Sequence, residues 1–254
     1  MSKYKAQILQ AVDMRGTVTV LELSRILGVS DQTVRRLAKP LVESGDLSKV
    51  HGALVSNRMA SDPPFLTRMN LNREAKVAIA RSAAELIPDG ASVAIDTGST
   101  SGYIAQALRA KRRLTVVTNS AFVASTLAII PGNNVYMAGI QLRNHDGAAF
   151  DRSAFEVIER MQVDYAVLSA SMVDAERGFL VHEQCEVDIT NAMLNSAARA
   201  IMAVDYSKFT LQNRRPTLCQ PALKTGDIVI TDQCPAREFD SLLRGLDVRI
   251  AETS

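Results

Sequence analysis

A chain of 254 residues with 47% hydrophobic and 22% charged side chains has an ordinary soluble globular composition, enough for one large domain or a small one joined to a larger. Three cysteines with no close pair (Cys185, Cys219, Cys234) and only three histidines exclude a disulfide scaffold and offer no metal-ligand spacing, and no apolar run approaches the roughly 20 residues that span a bilayer. The net charge of +2 is uneven: residues 1–60 carry nine Lys/Arg against five Asp/Glu and the remainder twenty against twenty-two, so a small basic head precedes a mildly acidic body.

In chain order, KYKAQILQAVDMRG places Ile8, Leu9 and Val12 on one face of a first helix that ends at Gly16. The segment TVTVLELSRILG predicts a second helix from about Thr19, with Leu21, Leu23, Ile26 and Leu27 inside and Gly28 terminating it. A third helix starts with Ser30 as N-cap, buries Val34, Leu37 and Leu41, and stops at Gly45. Pro40 removes a donor from it and favours a kink. DLSKVHGALVSN then alternates like a short strand pair turning at Gly52.

Helix, tight turn and second helix, over about residues 19–40, have the spacing of a helix-turn-helix. The inward Val34 and Leu37 leave Gln32, Thr33, Arg35, Arg36 and Lys39 for the outward face. An Arg pair on a helix is by itself an ordinary solvated face. Preceded by a helix and turn and trailed by a hairpin, it reads as a DNA contact, because Arg bonds guanine and Gln adenine through two hydrogen bonds each. Ser30, Thr33 and the free amides of the helix start suit phosphate oxygens. In the hairpin, Lys49 and His51 either touch the flanking backbone as a wing or simply close a small core.

Residues 58–72 are polar, contain Pro63-Pro64 and read as a linker, which gives a winged helix-turn-helix over 1–57 and a second domain over 73–254. From residue 73, helical segments alternate with short apolar runs (SVAID, LTVVTN, NVYMAG, YAVLSA, AIMAVD, DIVITD), the pattern of a parallel sheet covered by helices on both faces. SVAIDTGSTSGYIAQAL supplies a strand, a turn and a helix. Asp96, Gly98, Ser99, Thr100 and Ser101 form either an anion-binding loop at a helix start or an ordinary capped turn. Thr118, Asn119 and Ser120 end the next strand in the same way, and Gly139 ends the third. Arg143 and His145, in QLRNHDGAAF, add a flexible rim.

ILQAVDMRGTVTVLELSRILGVSDQTVRRL followed by GDLSKVHGA resembles the DeoR family of bacterial transcriptional regulators, through Val29, Ser30, Thr33, Val34, Arg35 and Arg36. It departs from the family pattern at Leu37, where Asp is usual, and at the single Gly52 before Ala53. The resemblance continues through IDTGST, LTVVTNS, EVDITNAM and AVDYSKF. It implies an α/β/α domain similar to the ribose-5-phosphate isomerase fold that senses a phosphorylated sugar or related metabolite. Carried over by residue, it implicates Asp96, Gly98, Ser99, Thr100, Thr118, Asn119 and Gly139 and adds Glu186, Asp205 and Lys208, while Thr190 stands where the family often has Lys.

The expected protein is therefore a cytoplasmic, cofactor-free repressor of a carbohydrate-metabolism operon that binds a double-stranded operator as a dimer or tetramer and is relieved by a sugar phosphate. The competing reading is a sugar-phosphate isomerase-type enzyme with an N-terminal accessory module, in which Asp96, Glu186, Asp205 and Lys208 supply acid and base groups.

Overall fold

The computed structural model describes residues 3–15, 17–44, 46–50, 53–56, 64–211 and 217–253. The chain divides into two units, Met1–Arg68 and Met69–Ser254. The division falls within the stretch read as linker, and that stretch contains a helix, Phe65–Asn70.

The first unit runs α1 (Lys3–Arg15), β1 (Thr17–Thr19), α2 (Val20–Leu27), α3 (Asp31–Glu43), β2 (Leu47–Val50) and β3 (Ala53–Ser56). Ile8, Leu9 and Val12 of α1, Val20 and Leu23 of α2 and Val34, Ala38 and Leu41 of α3 meet Val18, Leu47 and Leu54 of the sheet in one core. Thr19 starts α2 through a capping box: the Glu22 amide donates to Thr19 Oγ1 at 3.2 Å, and the Thr19 amide donates to Glu22 Oε2 at 2.8 Å. Gly28 ends that helix at φ 65°, a left-handed conformation that costs glycine nothing. Ser30 caps α3, accepting from the Thr33 amide. The helix continues through Pro40, whose missing N–H leaves the Arg36 carbonyl without its intrahelical donor.

Two expectations fail here. Leu21 and Ile26 are 51% and 44% exposed, because the capping box starts α2 at Val20 and turns Val20 and Leu23 inward instead. Thr17–Thr19 forms a strand that pairs with β3 (Val18 opposite Leu54), making the hairpin a three-stranded sheet in the order β1-β3-β2. Gly16, Gly45, His51 and Gly52 lie outside the described residues.

The second unit begins with α4 (Phe65–Asn70, shared with the division) and α5 (Arg73–Leu86), followed by β4 (Ser92–Ile95), α6 (Ser99–Leu108), β5 (Thr115–Thr118), α7 (Ala121–Ala128) and β6 (Asn134–Met137). Then come α8 (Arg152–Glu159), β7 (Val163–Leu168), β8 (Met172–Asp174), β9 (Gly178–Val181), α9 (Gln184–Ser196) and β10 (Ala197–Ala203). The chain closes with β11 (Phe209–Thr210), β12 (Leu218–Cys219), β13 (Ile228–Thr231), α10 (Asp240–Leu243) and β14 (Asp247–Ile250). Seven strands form a parallel sheet in the order β14-β13-β10-β7-β4-β5-β6. Val93 and Ile95 of β4 face one core with α5, α6 and α7, while Ala94 faces the other with α8 and α9. Both faces are covered, which is why these strands read as unbroken apolar runs. The sequence reading did not anticipate a second sheet, β11-β8-β9-β12, whose strands are two to four residues long.

The exchange of inward positions in α2 has a direct test. Leu23→Ala is expected to lower stability by about 2–5 kcal/mol, the cost of a cavity in a closed core. Leu21→Ala is expected to stay within about 0.5 kcal/mol, as surface substitutions do. Urea denaturation of both variants checks the pair, and equal losses would place Leu21 inside after all.

Candidate nucleic-acid interface and effector site

On α3, Gln32, Arg35, Arg36 and Lys39 are exposed, and their spacing (i, i+3, i+4, i+7) draws them into one stripe. At 100° per residue this stripe lies about 150° around the helix from the buried Val34, Ala38 and Leu41. The Arg35 and Arg36 side chains make no hydrogen bond or ion pair among the described residues, so their guanidinium donors are unspent. Lys39 approaches Glu43 at 3.8 Å, an exposed pair of small energetic weight. The Ser30 and Thr33 hydroxyls hold each other at 2.9 Å beside the helix start. Lys49 is exposed on β2; the expectation for His51 falls outside the described residues.

In the second unit the chain runs outward from β4 through β5 to β6, then returns to β7 on the other side of β4. The β4–β7 gap is therefore the switch point of the sheet, where open α/β sheets receive ligands beyond their strands' carboxyl ends. Asp96, the residue after β4, is buried there. Its Oδ1 accepts from the Gly98 amide at 3.0 Å and from the Ser101 hydroxyl. Its Oδ2 accepts from the Ser169 amide at 2.6 Å and the Ser169 hydroxyl at 2.8 Å. Gly98 is required by space: a Cβ on it would lie 1.9 Å from Ser169 Oγ. Thr118 is spent in the same way, donating to the Ile95 carbonyl and accepting from the Ser120 amide.

Other polar groups on this edge are not spent. The Ser99 and Thr100 side chains, nearly buried in the first turn of α6, bond to nothing among the described residues. Thr97 Oγ1 and Asn119 Oδ1 are buried without a partner, although Asn119 Nδ2 donates to the Ala149 carbonyl. Gln220 donates to the Ser169 carbonyl at 2.9 Å and to Thr190 Oγ1 at 3.3 Å, while its own Oε1 has no partner.

A hairpin spanning residues 139–150 forms the wall. Gly139 opens it at φ 101°, packed so closely that a Cβ would lie 2.3 Å from that of Ala149. Asp151 ties its first arm down, accepting from the Ile140 and Gln141 amides at 2.8 and 2.9 Å. Hydrogen bonds from Ser153 and from these amides hold the Asp151 carboxyl far below the usual carboxylate range. Arg143, expected on a flexible rim, is instead a half-buried hub. It bonds Asp146 (2.5 Å), Glu183 (2.8 Å) and Glu186 (3.1 Å) and stacks 4.2 Å over the Phe150 ring. Burial opposes the charged guanidinium, but Asp146, Glu183 and Glu186 outweigh it and raise its pKa above the ordinary value. Burial likewise pushes the neighbouring Cys185 thiol up to about 11, leaving it protonated and unreactive at neutral pH.

The expected effector residues are thus not one cluster. Asp96, Gly98, Ser99, Thr100 and Ser101 stand together, and Thr118 and Asn119 lie one strand along. Glu186 faces Arg143 and caps its own helix, accepting from the His182 and Glu183 amides. Asp205 lies beyond β10, bound to Asn72 and Ser207 beside a groove of about 490 Å³ that Arg73 and Asp232 also line. The half-buried Lys208 follows in the short turn Tyr206–Lys208. Four strand steps of about 4.8 Å separate Asp205 from Gly139, about 19 Å, too far for one small ligand to touch both. Sequence reasoning missed Thr97, Ser169 and Gln220. The rule that ligands meet residues just past a strand would have found the first two; Gln220 carries no local signal.

Gly98→Ala is expected to destabilise the protein by about 1–3 kcal/mol through overpacking, with Ser169→Gly restoring part of the loss. Thermal denaturation of the single and double variants measures this, and an unaffected single variant would contradict the crowding. Because the Asp151 pKa is depressed on folding, its contribution is full above the unfolded value near 3.8 and is lost as pH falls below it. The stability gap between parent and Asp151→Asn is therefore expected to shrink from pH 5 to pH 2; a gap constant with pH would remove the carboxylate from that role.

Residues 5–60 match the family model of the DeoR-like helix-turn-helix domain, and residues 71–233 that of the DeoR C terminal sensor domain. The glycerol-3-phosphate regulon repressor of Escherichia coli is 30% identical over 228 residues, 90% of this chain and 89% of the repressor. The L-fucose operon activator of Haemophilus influenzae is 30% identical over 206 residues, 80% of this chain and 81% of its own. Among solved structures, ribose 5-phosphate isomerase A from Methanocaldococcus jannaschii aligns with 55% of this chain and 55% of its own at 18% identity, with a TM-score of 0.40.

Proposed function

The chain belongs to the DeoR family of transcriptional regulators, and on that premise we propose that it represses a carbohydrate-metabolism operon and is released from its operator by a small phosphorylated sugar or polyol. The observation that carries the DNA-reading half is the α3 stripe with its two unspent guanidinium groups. Arg35 and Arg36 face base edges in the major groove, with Gln32 as a second reader. Ser30, Thr33, Lys39 and Lys49 take phosphates, each contact releasing counterions and steepening the salt dependence. His51, at the tip of the wing, belongs with Lys49 in this proposal.

The effector half rests on the unspent groups at the switch point. A phosphate meets the Ser99 and Thr100 hydroxyls at the positive end of α6, and sugar hydroxyls meet Thr97 and Asn119. Asp96, Gly98, Ser101, Thr118 and Gly139 hold that surface in shape, and Glu186 fixes the Arg143 wall. Asp205 lies two strand steps, about 10 Å, from Asp96, so Asp205 and Lys208 engage the far end of an effector long enough to reach them. The glycerol-3-phosphate named for one relative is a ligand of this class. Binding rather than turnover is favoured because the carboxylates that an isomerase would need are engaged: Asp96 by four donors, and Glu186 by Arg143 and two amides. Among the described residues no helix is long and apolar enough to cross a membrane, and the proposed place of action is the cytoplasm, on DNA.

Fluorescence anisotropy on the DNA upstream of its own gene, titrated with a panel of sugar and polyol phosphates, tests both halves. Arg35→Ala is expected to weaken specific binding by about 1–3 kcal/mol, roughly 5–150-fold, with an unchanged circular dichroism spectrum. Lys49→Ala is expected to reduce the slope of log affinity against log salt by about one while preserving sequence preference. Asn119→Ala is expected to abolish the response to the active phosphate while leaving operator affinity intact. Parent-like operator binding by Arg35→Ala would displace α3 from the groove, and a parent-like phosphate response in Asn119→Ala would move the effector elsewhere.

A further inference from the structure

The two edges of the parallel sheet are built differently. At one edge, β14 carries Asp247 and Arg249, paired at 2.9 Å, and Arg199 of β10 reaches the same carboxylate at 3.1 Å. Charges of this kind keep an edge strand from pairing with another chain. The other edge, β6, has no such guard. Residues 114–142 include no Asp, Glu, Lys, Arg or His, a run of 29 in a chain that is 22% charged. That run contains all of β6, which pairs only with β5 among the described residues. Around it Ile129 is 69% exposed, Tyr136 49%, Ile140 85% and Leu142 46%. Exposed apolar side chains grouped beside an open strand edge mark a surface that another protein covers.

The absence of charge identifies that protein. Across a two-fold axis every residue near the axis meets its own copy, so any charge there faces a like charge. A surface without charges meets itself free of that repulsion, and it offers nothing to a partner recognised by charge. Two copies of one strand related by a two-fold axis also run antiparallel, the arrangement in which edge strands pair directly. We propose that two copies of this chain associate through the open edge of β6, with Tyr136, Ile140 and Leu142 at the centre of the contact. Ile140 and Leu142 belong to the hairpin whose Arg143 walls the switch point, so the interface and the wall share one segment.

Sedimentation equilibrium of the full-length chain tests this without reference to DNA or effector. The parent is expected to associate, while Tyr136→Lys and Tyr136→Glu, each placing like charges across the axis, weaken association at least tenfold. An equimolar mixture of the two variants is expected to recover the parent mass, because Lys then faces Glu; a simple folding defect would not be repaired by mixing. Ile140→Asp gives a second probe on the hairpin should Tyr136 variants lose their circular dichroism. Ile250→Lys, on β14, is expected to leave the mass unchanged. A monomeric parent, parent-like association of the β6 variants, failure of the mixture to recover, or dissociation by Ile250→Lys would each overturn the assignment.

Discussion

The Asp96 carboxylate fixes the geometry on which the second unit's site depends. Its two oxygens take four hydrogen bonds from three residues, Gly98 and Ser101 on the loop into α6 and Ser169 beyond β7. One side chain thus ties the loop after β4 to the strand on the far side of the switch point. The arrangement is possible only because residue 98 has no Cβ to strike Ser169. It also sets what remains available for a ligand. With Asp96 and Ser101 engaged to each other, the first turn of α6 presents neutral hydroxyls and no anion that would repel a phosphate. A buried carboxylate saturated by donors is therefore compatible with, and necessary for, an anion-accepting surface next to it.

The opposite wall is electrostatically complete. Arg143 faces Asp146, Glu183 and Glu186, so the hub carries one positive charge against three negative ones. An Arg near a candidate phosphate site is commonly read as its ligand, and here competition decides the matter. Three carboxylates within 3.1 Å already hold the guanidinium, and a phosphate would have to displace at least one of them. The hub instead orients the hairpin against the start of α9, where Glu183 and Glu186 also form a capping box.

How far the sequence could be read followed from the range of the forces involved. Ser30, Gly28 and the alternation of apolar runs with helices were legible because caps, left-handed turns and double-sided burial leave local marks. Thr17–Thr19 and the small sheet of β8, β9, β11 and β12 were not, since strands of two to four residues show no period and depend on partners far along the chain. Leu21 and Ile26 were misplaced because periodicity gives spacing but not phase; the Thr19–Glu22 box, itself visible as T-x-x-E, sets the phase and turns both outward. In the site, the residue types at strand ends were legible, but their roles were not. Asp96, Thr118 and Glu186 look like ligands in a sequence and act as internal braces, because the groups that occupy them come from elsewhere in the fold, as Ser169 does for Asp96.

Control of DNA binding by a metabolite needs a difference in effector affinity between two states, not a displacement along a continuous path. A coupling of about 1–3 kcal/mol changes operator occupancy by roughly 5–150-fold, which is comparable to one or two charge-assisted hydrogen bonds. The hairpin over 139–150 can supply such a difference. Its Arg143 end is held by the wall of the switch point, its Ile140–Leu142 end lies on the proposed interface, and Asp151 and Gly139 leave its base little freedom. In a two-fold assembly an operator reads the separation of two recognition helices, about 34 Å for half-sites one turn apart. A ligand that favours one arrangement of the hairpin then changes the relation between two copies while the fold of each unit stays as it is, so the assembly itself becomes the two-state element.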